Sequence, residues 1–349
     1  MSKSNKLVAT WIFIGIGMLI IQVLIGGITR LTGSGLSITE WKPIMGFMLP
    51  TSEIQWQQNF EQYQQIAQFK YINNHFSLSE FKFIFFWEWF HRLWARLIAI
   101  AFVIPFIYFI VKKHIKPNMV KPLIILVLLG ALEGALGWIM VKSGLNDVNL
   151  YVNHIKLSIH FIFAMLIISF ALTIALGLVT NQSDKIENTT LKKFTIILIS
   201  LFAIQLIYGA FMAGLKAASA APTWPLINGM IVPDSMFNNG FFNSILFNTI
   251  TVHFIHRTLA YIIFIVIIYW SIKIRKNHST TLLKKVNITA LILVFLQIGL
   301  GVSSVLLSTK IVLGEFKIFE WFALLHQLVG MLLLLILVAH LHLINFNKK

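Results

Sequence analysis

Long apolar segments alternate with short polar ones along nearly the whole chain. A helix needs about 20 apolar residues to cross roughly 30 Å of hydrocarbon. Eight segments approach or exceed that length, over residues 7–28, 84–111, 122–141, 157–179, 194–213, 248–272, 286–308 and 321–344. Because backbone polar groups inside a bilayer must be satisfied internally, each segment is expected to be helical. The pattern predicts an all-α integral membrane protein with eight transmembrane helices.

Basic residues are concentrated in alternate loops and at both ends of the chain. They are Lys3, Lys6, Lys112, Lys113, Lys116, Lys121, Lys185, Lys192, Lys193, Lys273, Arg275, Lys276, Lys284, Lys285, Lys348 and Lys349. An excess of Lys and Arg marks cytoplasmic loops, so both termini are predicted to be cytoplasmic and segments 29–83 and 214–247 periplasmic. The first apolar segment is too long for a cleavable signal, and no transit peptide precedes it. These features favour a multi-pass protein of the bacterial inner membrane.

Composition narrows the class of protein further. Of the 349 residues, 58% are hydrophobic and 11% are charged, and the mean hydropathy is +0.82. The net charge of +16 is typical of nucleic-acid binding, but many of the basic residues lie between apolar spans. Membrane lipid, and not nucleic acid, is therefore the expected partner. Cysteine is absent, which excludes disulfides, thiolate heme ligation and iron–sulfur clusters.

The two halves of the chain resemble each other. Residues 21–50 align without gaps with residues 204–233, and the alignment pairs Gln22 with Gln205, Gly26 with Gly209, Trp41 with Trp224, Gly46 with Gly229 and Pro50 with Pro233. Further on, HRLWA resembles HRTLA, and LEGALG (132–137) resembles LQIGLG (296–301). Four spans per half is an even number, so the repeats are expected to be parallel. The predicted architecture is two pseudo-symmetric four-helix bundles, residues 1–180 and residues 181–349.

Four histidines lie at matching points near the start of the even-numbered spans: His91, His160, His256 and His326. These spans run in one direction, so the imidazoles are expected at similar depth, toward the periplasm. A lone histidine in an apolar helix is usually an interhelical hydrogen bond. Heme iron takes axial imidazoles from facing helices, which predicts one site at His91 with His160 and another at His256 with His326. A zinc site is the alternative, and it requires ligands from both halves to converge.

The first half also carries an acid beside its histidine. Glu88 precedes His91 by three residues and Arg92 by four, so the three lie near one helical face. Either Glu88 pairs with Arg92, or it is an acid/base or radical-directing group beside the first heme. The aligned region of the second half offers Phe254 or Val252 and no acid. This asymmetry predicts one reactive site and one structural or electron-transfer site.

Other polar residues near the spans receive secondary assignments. Three arginines are candidate partners for heme propionates, with snorkelling to the headgroups as the alternative: Arg92, Arg96 and Arg257. His253 is expected to pack or hydrogen-bond beside His256. The other histidines are placed in solvated loops (His75, His114, His154 and His278) or too near the cytoplasm to join a site (His340 and His342).

Several motifs resemble the heme A synthase family, and in particular its alphaproteobacterial and mitochondrial branch. They are GGITRLTGSGLSITEWKP (26–43), EFKFIFFWEWFHR (80–92), GWIMVKSGL (137–145), HRTLAY (256–261) and the histidine of LLHQ (His326). The resemblance covers nearly the whole chain. It implies that one ring methyl of heme O is oxidised to a formyl group, through successive hydroxylations and loss of water from a geminal diol.

The resemblance also implies roles for the histidine pairs. His256 and His326 would hold a permanent heme b, His91 and His160 would bind the substrate heme, and Glu88 would be the catalytic glutamate. The implied partners are a heme O synthase upstream and cytochrome oxidase assembly factors downstream. Two residues depart from the family pattern: Glu133 replaces an expected glutamine and Ala95 an expected glycine.

Three points are left open by the sequence. The alternative function is a di-heme b-type membrane electron carrier, which would use both pairs permanently; a heme transporter is a third reading, for which the spans show few midplane polar gates. Glu133 is expected to make an interhelical hydrogen bond. The outer segment 51–80 has too weak a periodicity to predict a helix over the first site, and a homo-oligomer is left open.

Overall fold

Eight membrane-length helices dominate the computed structural model, which describes residues 3–41, 45–238, 240–276, 279–312 and 315–346. Ten α-helices lie in these ranges: α1 (Lys3–Leu31), α2 (Glu53–Gln64), α3 (Leu78–Val111), α4 (Pro117–Lys142), α5 (His154–Val179), α6 (Thr189–Gly214), α7 (Phe241–Phe247), α8 (Thr249–Lys276), α9 (Thr281–Leu307) and α10 (Ile318–Leu343). All but α2 and α7 are long and apolar enough to span. The predicted all-α membrane fold is confirmed. His278, Lys348, Lys349 and residues 42–43 of the first motif lie outside the described ranges.

Several helices begin before their apolar segments because polar residues cap them. The backbone N–H of Ser77 donates to Glu80 at 2.6 Å, so α3 starts six residues before the predicted segment 84–111. Asn153 accepts from the first backbone N–H groups of α5. Such caps satisfy the unpaired N–H groups of a first turn. Hydropathy alone therefore underestimates the length of these helices.

The spans pack as two rings of four helices. In the first ring α1 and α4 each contact both α3 and α5, and in the second α6 and α9 each contact both α8 and α10. The second and fourth spans of each half thus face each other diagonally, as the ligand pairing requires. Helix α5 packs against α6 and α10 and joins the rings. The common packing order supports the repeat, whereas the symmetry relating the halves and the division at residue 180 stay predictions.

One hydrophobic core runs through both rings. It includes fully buried side chains from α1, α5, α6, α8 and α10, namely Ile12, Ile168, Leu198, Ile267 and Leu333. A two-residue parallel pairing, Ile186–Glu187 with Ile344–Asn345, ties the α5–α6 connection to the end of α10. The halves are therefore held together by shared packing as well as by the chain.

The end of the bundle where α1 ends and α3 begins is here called the histidine end. At this end, the segment after α1 and helix α2 form an apolar cap on the first ring. Its core consists of Leu36, Phe60, Tyr63, Ile66, Phe81, Ile84 and Phe85. Tyr63 is fully buried and donates to Gln68 at 3.0 Å. Burial raises the pKa of the Tyr63 phenol, so it stays a protonated donor. Segment 51–80, whose periodicity is too weak to predict a helix, thus contains α2, which packs on the start of α3.

Candidate functional site

Each of the four predicted ligand histidines packs against a glycine of a neighbouring span. A Cβ added to the glycine would lie 3.1 Å from His91 Nε2 (at Gly26), 3.0 Å from His160 Cε1 (at Gly137), 3.3 Å from His256 Cε1 (at Gly209) and 2.9 Å from His326 Cε1 (at Gly301). The glycines belong to α1, α4, α6 and α9, and the histidines to α3, α5, α8 and α10. A larger residue at Gly301 would collide with the ring, and at the other three positions the ring would have to shift by a few tenths of an ångström.

One turn before each glycine, a polar side chain reaches the same histidine. The distances are 3.0 Å from Gln22 Nε2 to His91 Nε2, 3.0 Å from Glu133 Oε1 to His160 Nδ1, 3.5 Å from Gln205 Nε2 to His256 Nε2 and 3.4 Å from Gln297 Nε2 to His326 Nε2. A spacing of four residues puts the amide or acid and the glycine on one helical face. The frame of each histidine is therefore Gln or Glu, three residues, then Gly. This function of the repeated Gln and Gly positions was missed in the sequence, although the internal repeat displays them.

The second pair has a geometry that fits metal ligation. The ring centroids of His256 and His326 are 6.3 Å apart, with ring planes at 78°. That separation accommodates a metal between two ring nitrogens at about 2 Å from each. His326 Nδ1 lies 3.1 Å from the carbonyl oxygen of Gln297, which can only accept, so the proton is on Nδ1. Nε2 of His326 is then available as a ligand, and the pair fits a bis-imidazole heme.

The surroundings of the first pair carry charge. His160 Nδ1 lies 3.0 Å from Glu133 Oε1, but the two atoms do not have the geometry of a hydrogen bond. Across the described residues no group of three or more His, Asp or Glu side chains is placed to share a metal ion. This favours two histidine pairs over one zinc site.

Glu88 uses both of its oxygens to clamp the segment after α1. Oε1 accepts from Arg92 Nη2 at 2.6 Å, and Oε2 accepts from Ser37 Oγ at 2.8 Å and from the backbone N–H of Ile38 at 2.9 Å. Arg92 also donates to the carbonyl oxygens of Ile38 and Glu40. The carboxylate is 3% exposed. The ion pair with Arg92, predicted as one alternative, is present.

The second half builds the same clamp with a neutral residue. Arg257 Nε donates to His253 Nε2 at 2.9 Å, and Arg257 Nη2 donates to the carbonyl of Ala221 at 3.0 Å. Ala221 and Ile38 are equivalent at the offset that pairs Gln205 with Gln22. His253 therefore occupies the position equivalent to Glu88 in the second half, and the assignment of Phe254 or Val252 to that position is wrong. The correct partner follows from counting back three residues from His256, as Glu88 lies three before His91.

Two of the predicted propionate partners, Arg92 and Arg257, already use most of their N–H donors in hydrogen bonds within the protein. Arg257 is 8% exposed, which does not fit snorkelling to lipid headgroups. The Arg92 guanidinium lies 5.8 Å from the Trp138 ring, which stacks on Trp41 at 5.2 Å. Arg96 follows Arg92 by one turn of α3. Arg92 and Arg257 are therefore directed largely at backbone carbonyls.

Histidines outside the pairs were predicted with mixed success. His154 was placed in a solvated loop, and this is wrong: it is the first residue of α5, is 7% exposed, and lies 2.8 Å from the carbonyl of Leu246. Asn153 caps α5 and so draws His154 into the helix. His75 is exposed, as predicted. His340 packs on Trp270 at the end of α10 opposite the histidine end, as predicted from its position.

Replacing Glu88 with alanine is expected to destabilise the protein by about 3 kcal/mol or more, because it leaves the Arg92 guanidinium buried without its carboxylate. Thermal unfolding in detergent measures the effect. Glu53→Ala is the matched control: Glu53 pairs with Lys82 at 2.9 Å but is 77% exposed, so its loss should change stability by less than about 1 kcal/mol. Equal melting temperatures for Glu88→Ala and the unmodified protein would contradict the clamp.

Comparisons with known proteins agree over nearly the full chain. A family model described as cytochrome oxidase assembly protein matches residues 9–338. A heme A synthase of Bartonella tribocorum is 39% identical over 97% of this chain and 92% of its own length. Those of Flavobacterium psychrophilum and Brucella suis are each 37% identical, over 99% and 97% of this chain and 100% and 92% of their own. The expected likeness to alphaproteobacterial relatives is thus confirmed, and the chain belongs to the heme A synthase family.

Proposed function

We propose that this chain oxidises a ring methyl of heme O to the formyl group of heme A, with separate sites for substrate and cofactor. The observation that carries the proposal is the pair of matched histidine frames, which differ in charge. Carboxylates stand beside the first pair, at Glu88 and Glu133, where the second half has His253 and Gln297. A protein that only relays electrons between two equivalent hemes has no need of this difference.

The second pair is proposed to hold a resident heme b. His256 and His326 would bind its iron, Gln205 and Gln297 would hold the two rings, and Arg257 would supply positive charge for the anionic propionates. A heme bound there supplies a one-electron redox centre. The side chains that contact the two rings, Gln205 and Gln297, are neutral, which suits a group that is retained and not modified.

The first pair is proposed to bind heme O as substrate through His91 and His160. Arg92 and Arg96 supply positive charge for its propionates. Glu88 is proposed as the catalytic glutamate, and its three hydrogen bonds show how it also fixes Arg92 and the segment carrying Ser37 and Ile38. Through these bonds it also ties the segment after α1 to α3, the helix that carries His91.

The proposed setting is the bacterial inner membrane, with both termini cytoplasmic. Supporting this, Lys112, Lys121, Lys273 and Lys276 all lie at the helix ends opposite the histidine end, where the positive-inside rule expects the cytoplasm. The histidine end then faces the periplasm. A heme O synthase would supply the substrate, and cytochrome oxidase assembly factors would receive the product.

The proposal is tested by expressing the full chain in a host that makes heme O and separating the extracted hemes by chromatography. Heme A is expected with the chain and not with an empty vector. Heme b at two sites per chain without any heme A would overturn the proposal and support the electron carrier instead.

The contact between Gly301 and His326 in the second site supplies a further prediction. Gly301→Val is expected to displace His326 and lower the bound heme per protein, since even a Cβ there would lie 2.9 Å from the ring. Gly299→Val, on the same helix, meets nothing within 4 Å of its Cβ and should retain heme. Heme content is measured by absorbance of the purified proteins. Equal loss of heme in both variants would show that the effect does not depend on the contact between residue 301 and His326.

A further inference from the structure

One of the four histidine frames differs from the rest in charge. Gln22, Gln205 and Gln297 present neutral amides to His91, His256 and His326, whereas Glu133 presents a carboxylate to His160. Glu133 and Gln297 occupy equivalent positions, each four residues before the glycine that receives the ring. The chain thus places an acid where its own internal repeat uses an amide.

The acid and the amides also reach different ring nitrogens. The three Gln side chains lie nearest Nε2 of their histidines, whereas Glu133 lies 3.0 Å from Nδ1 of His160. In His326, Nδ1 instead donates to the neutral backbone carbonyl of Gln297. Metal-binding histidines commonly donate their second N–H to a carbonyl or a carboxylate, and the choice tunes the metal.

Glu133 is largely buried, and one of its carboxylate oxygens makes no hydrogen bond to a described residue. Its side chain is 17% exposed, that of His160 is 21% exposed, and Glu133 Oε2 is buried without a hydrogen-bond partner. A carboxylate at membrane depth is costly unless a partner or function offsets it. Unlike Glu88, whose oxygens are both engaged by the clamp, Glu133 has an oxygen that no described residue hydrogen-bonds, and its other oxygen lies 3.0 Å from His160 Nδ1.

We propose that Glu133 is a positioning residue that holds His160 through Nδ1 and gives the substrate heme a more electron-donating axial ligand than either ligand of the second site. This inference rests on the proposed function of the first pair as the heme O site. A stronger donor stabilises the ferric state, so the first-site iron would have a lower reduction potential than it would with a glutamine frame. The two sites would thereby be made unequal by one side chain.

The test compares Glu133→Gln, which restores the frame of the other three histidines, with Gln297→Glu, which moves the acid to the second site. Each full-length protein is purified with its resident heme, loaded with heme O under anaerobic conditions, and titrated potentiometrically before and after loading. The wave that loading adds reports the first site. Glu133→Gln is expected to raise the potential of that wave alone, and Gln297→Glu to lower the potential of the resident heme alone.

A third variant tests positioning apart from charge. Glu133→Leu removes both, and heme O is expected to bind the first site about 10- to 100-fold more weakly, the usual effect of losing such a partner. An unchanged first-site potential in Glu133→Gln, or unchanged heme O affinity in Glu133→Leu, would overturn the inference while leaving the proposed function standing. Failure of the unmodified protein to bind heme O at all would instead overturn the proposed function.

Discussion

The His326→Ala protein is expected to be purified without its b-type heme spectrum. His326 faces His256 with ring centroids 6.3 Å apart, and the three atoms nearest to a Cβ placed on Gly301 all belong to the His326 ring. Without this imidazole the proposed heme would lose one of its two protein ligands, and the space beside Gly301 would stay unfilled. Absorbance of the reduced, purified protein measures the bound heme.

The control is His342→Ala, because His342 lies on the same helix near the opposite end and contacts Thr180 at 2.7 Å. Sixteen residues of helix separate the two histidines by roughly 24 Å. This variant should keep its spectrum. If His326→Ala also keeps it, the pair His256 and His326 is not the resident heme site and the assignment of the two pairs is wrong.

Replacing His160 with alanine is expected to abolish heme A formation while the resident heme b spectrum persists. His160 reaches the first site from α5, and neither Glu133 nor Gly137 could replace an imidazole as an iron ligand of the same kind. Extracted hemes from a host making heme O should then contain heme O without heme A. The same cells supply protein for the spectrum.

His154→Ala is the matched control for that experiment. His154 lies on the same helix, but its ring packs between Phe211 and Phe247, away from the glycine frames. Its replacement should lower stability and leave heme A formation in place. Loss of the b-type spectrum in His160→Ala would contradict the separation of the two sites, since the second ring of helices would then depend on a first-ring ligand.

Much of the candidate site was predictable because its residues are exceptions to the apolar pattern. Four histidines in otherwise apolar spans, the Glu88–Arg92 spacing and the repeat are all visible in one dimension. In a ring of four helices the second and fourth lie diagonally across from each other, and α3 and α5 have this arrangement. The error at His154 arose because the Asn153 cap and the carbonyl of Leu246 determine its environment. The error at the position equivalent to Glu88 was one of alignment, since counting back three residues from His256 gives His253.

The sequence by itself determined the eight spans, the histidine positions and the family, because hydropathy, composition and motifs are properties of the chain. Only the tertiary structure decided which side chains of different helices contact each other. It showed that Gly26, Gly137, Gly209 and Gly301 admit the four rings, and that both oxygens of Glu88 are engaged by a clamp. It also put Glu133, one turn before Gly137, beside His160. The physical reason is that a contact between helices depends on their rotation and separation, which packing of the whole bundle sets and no single segment encodes.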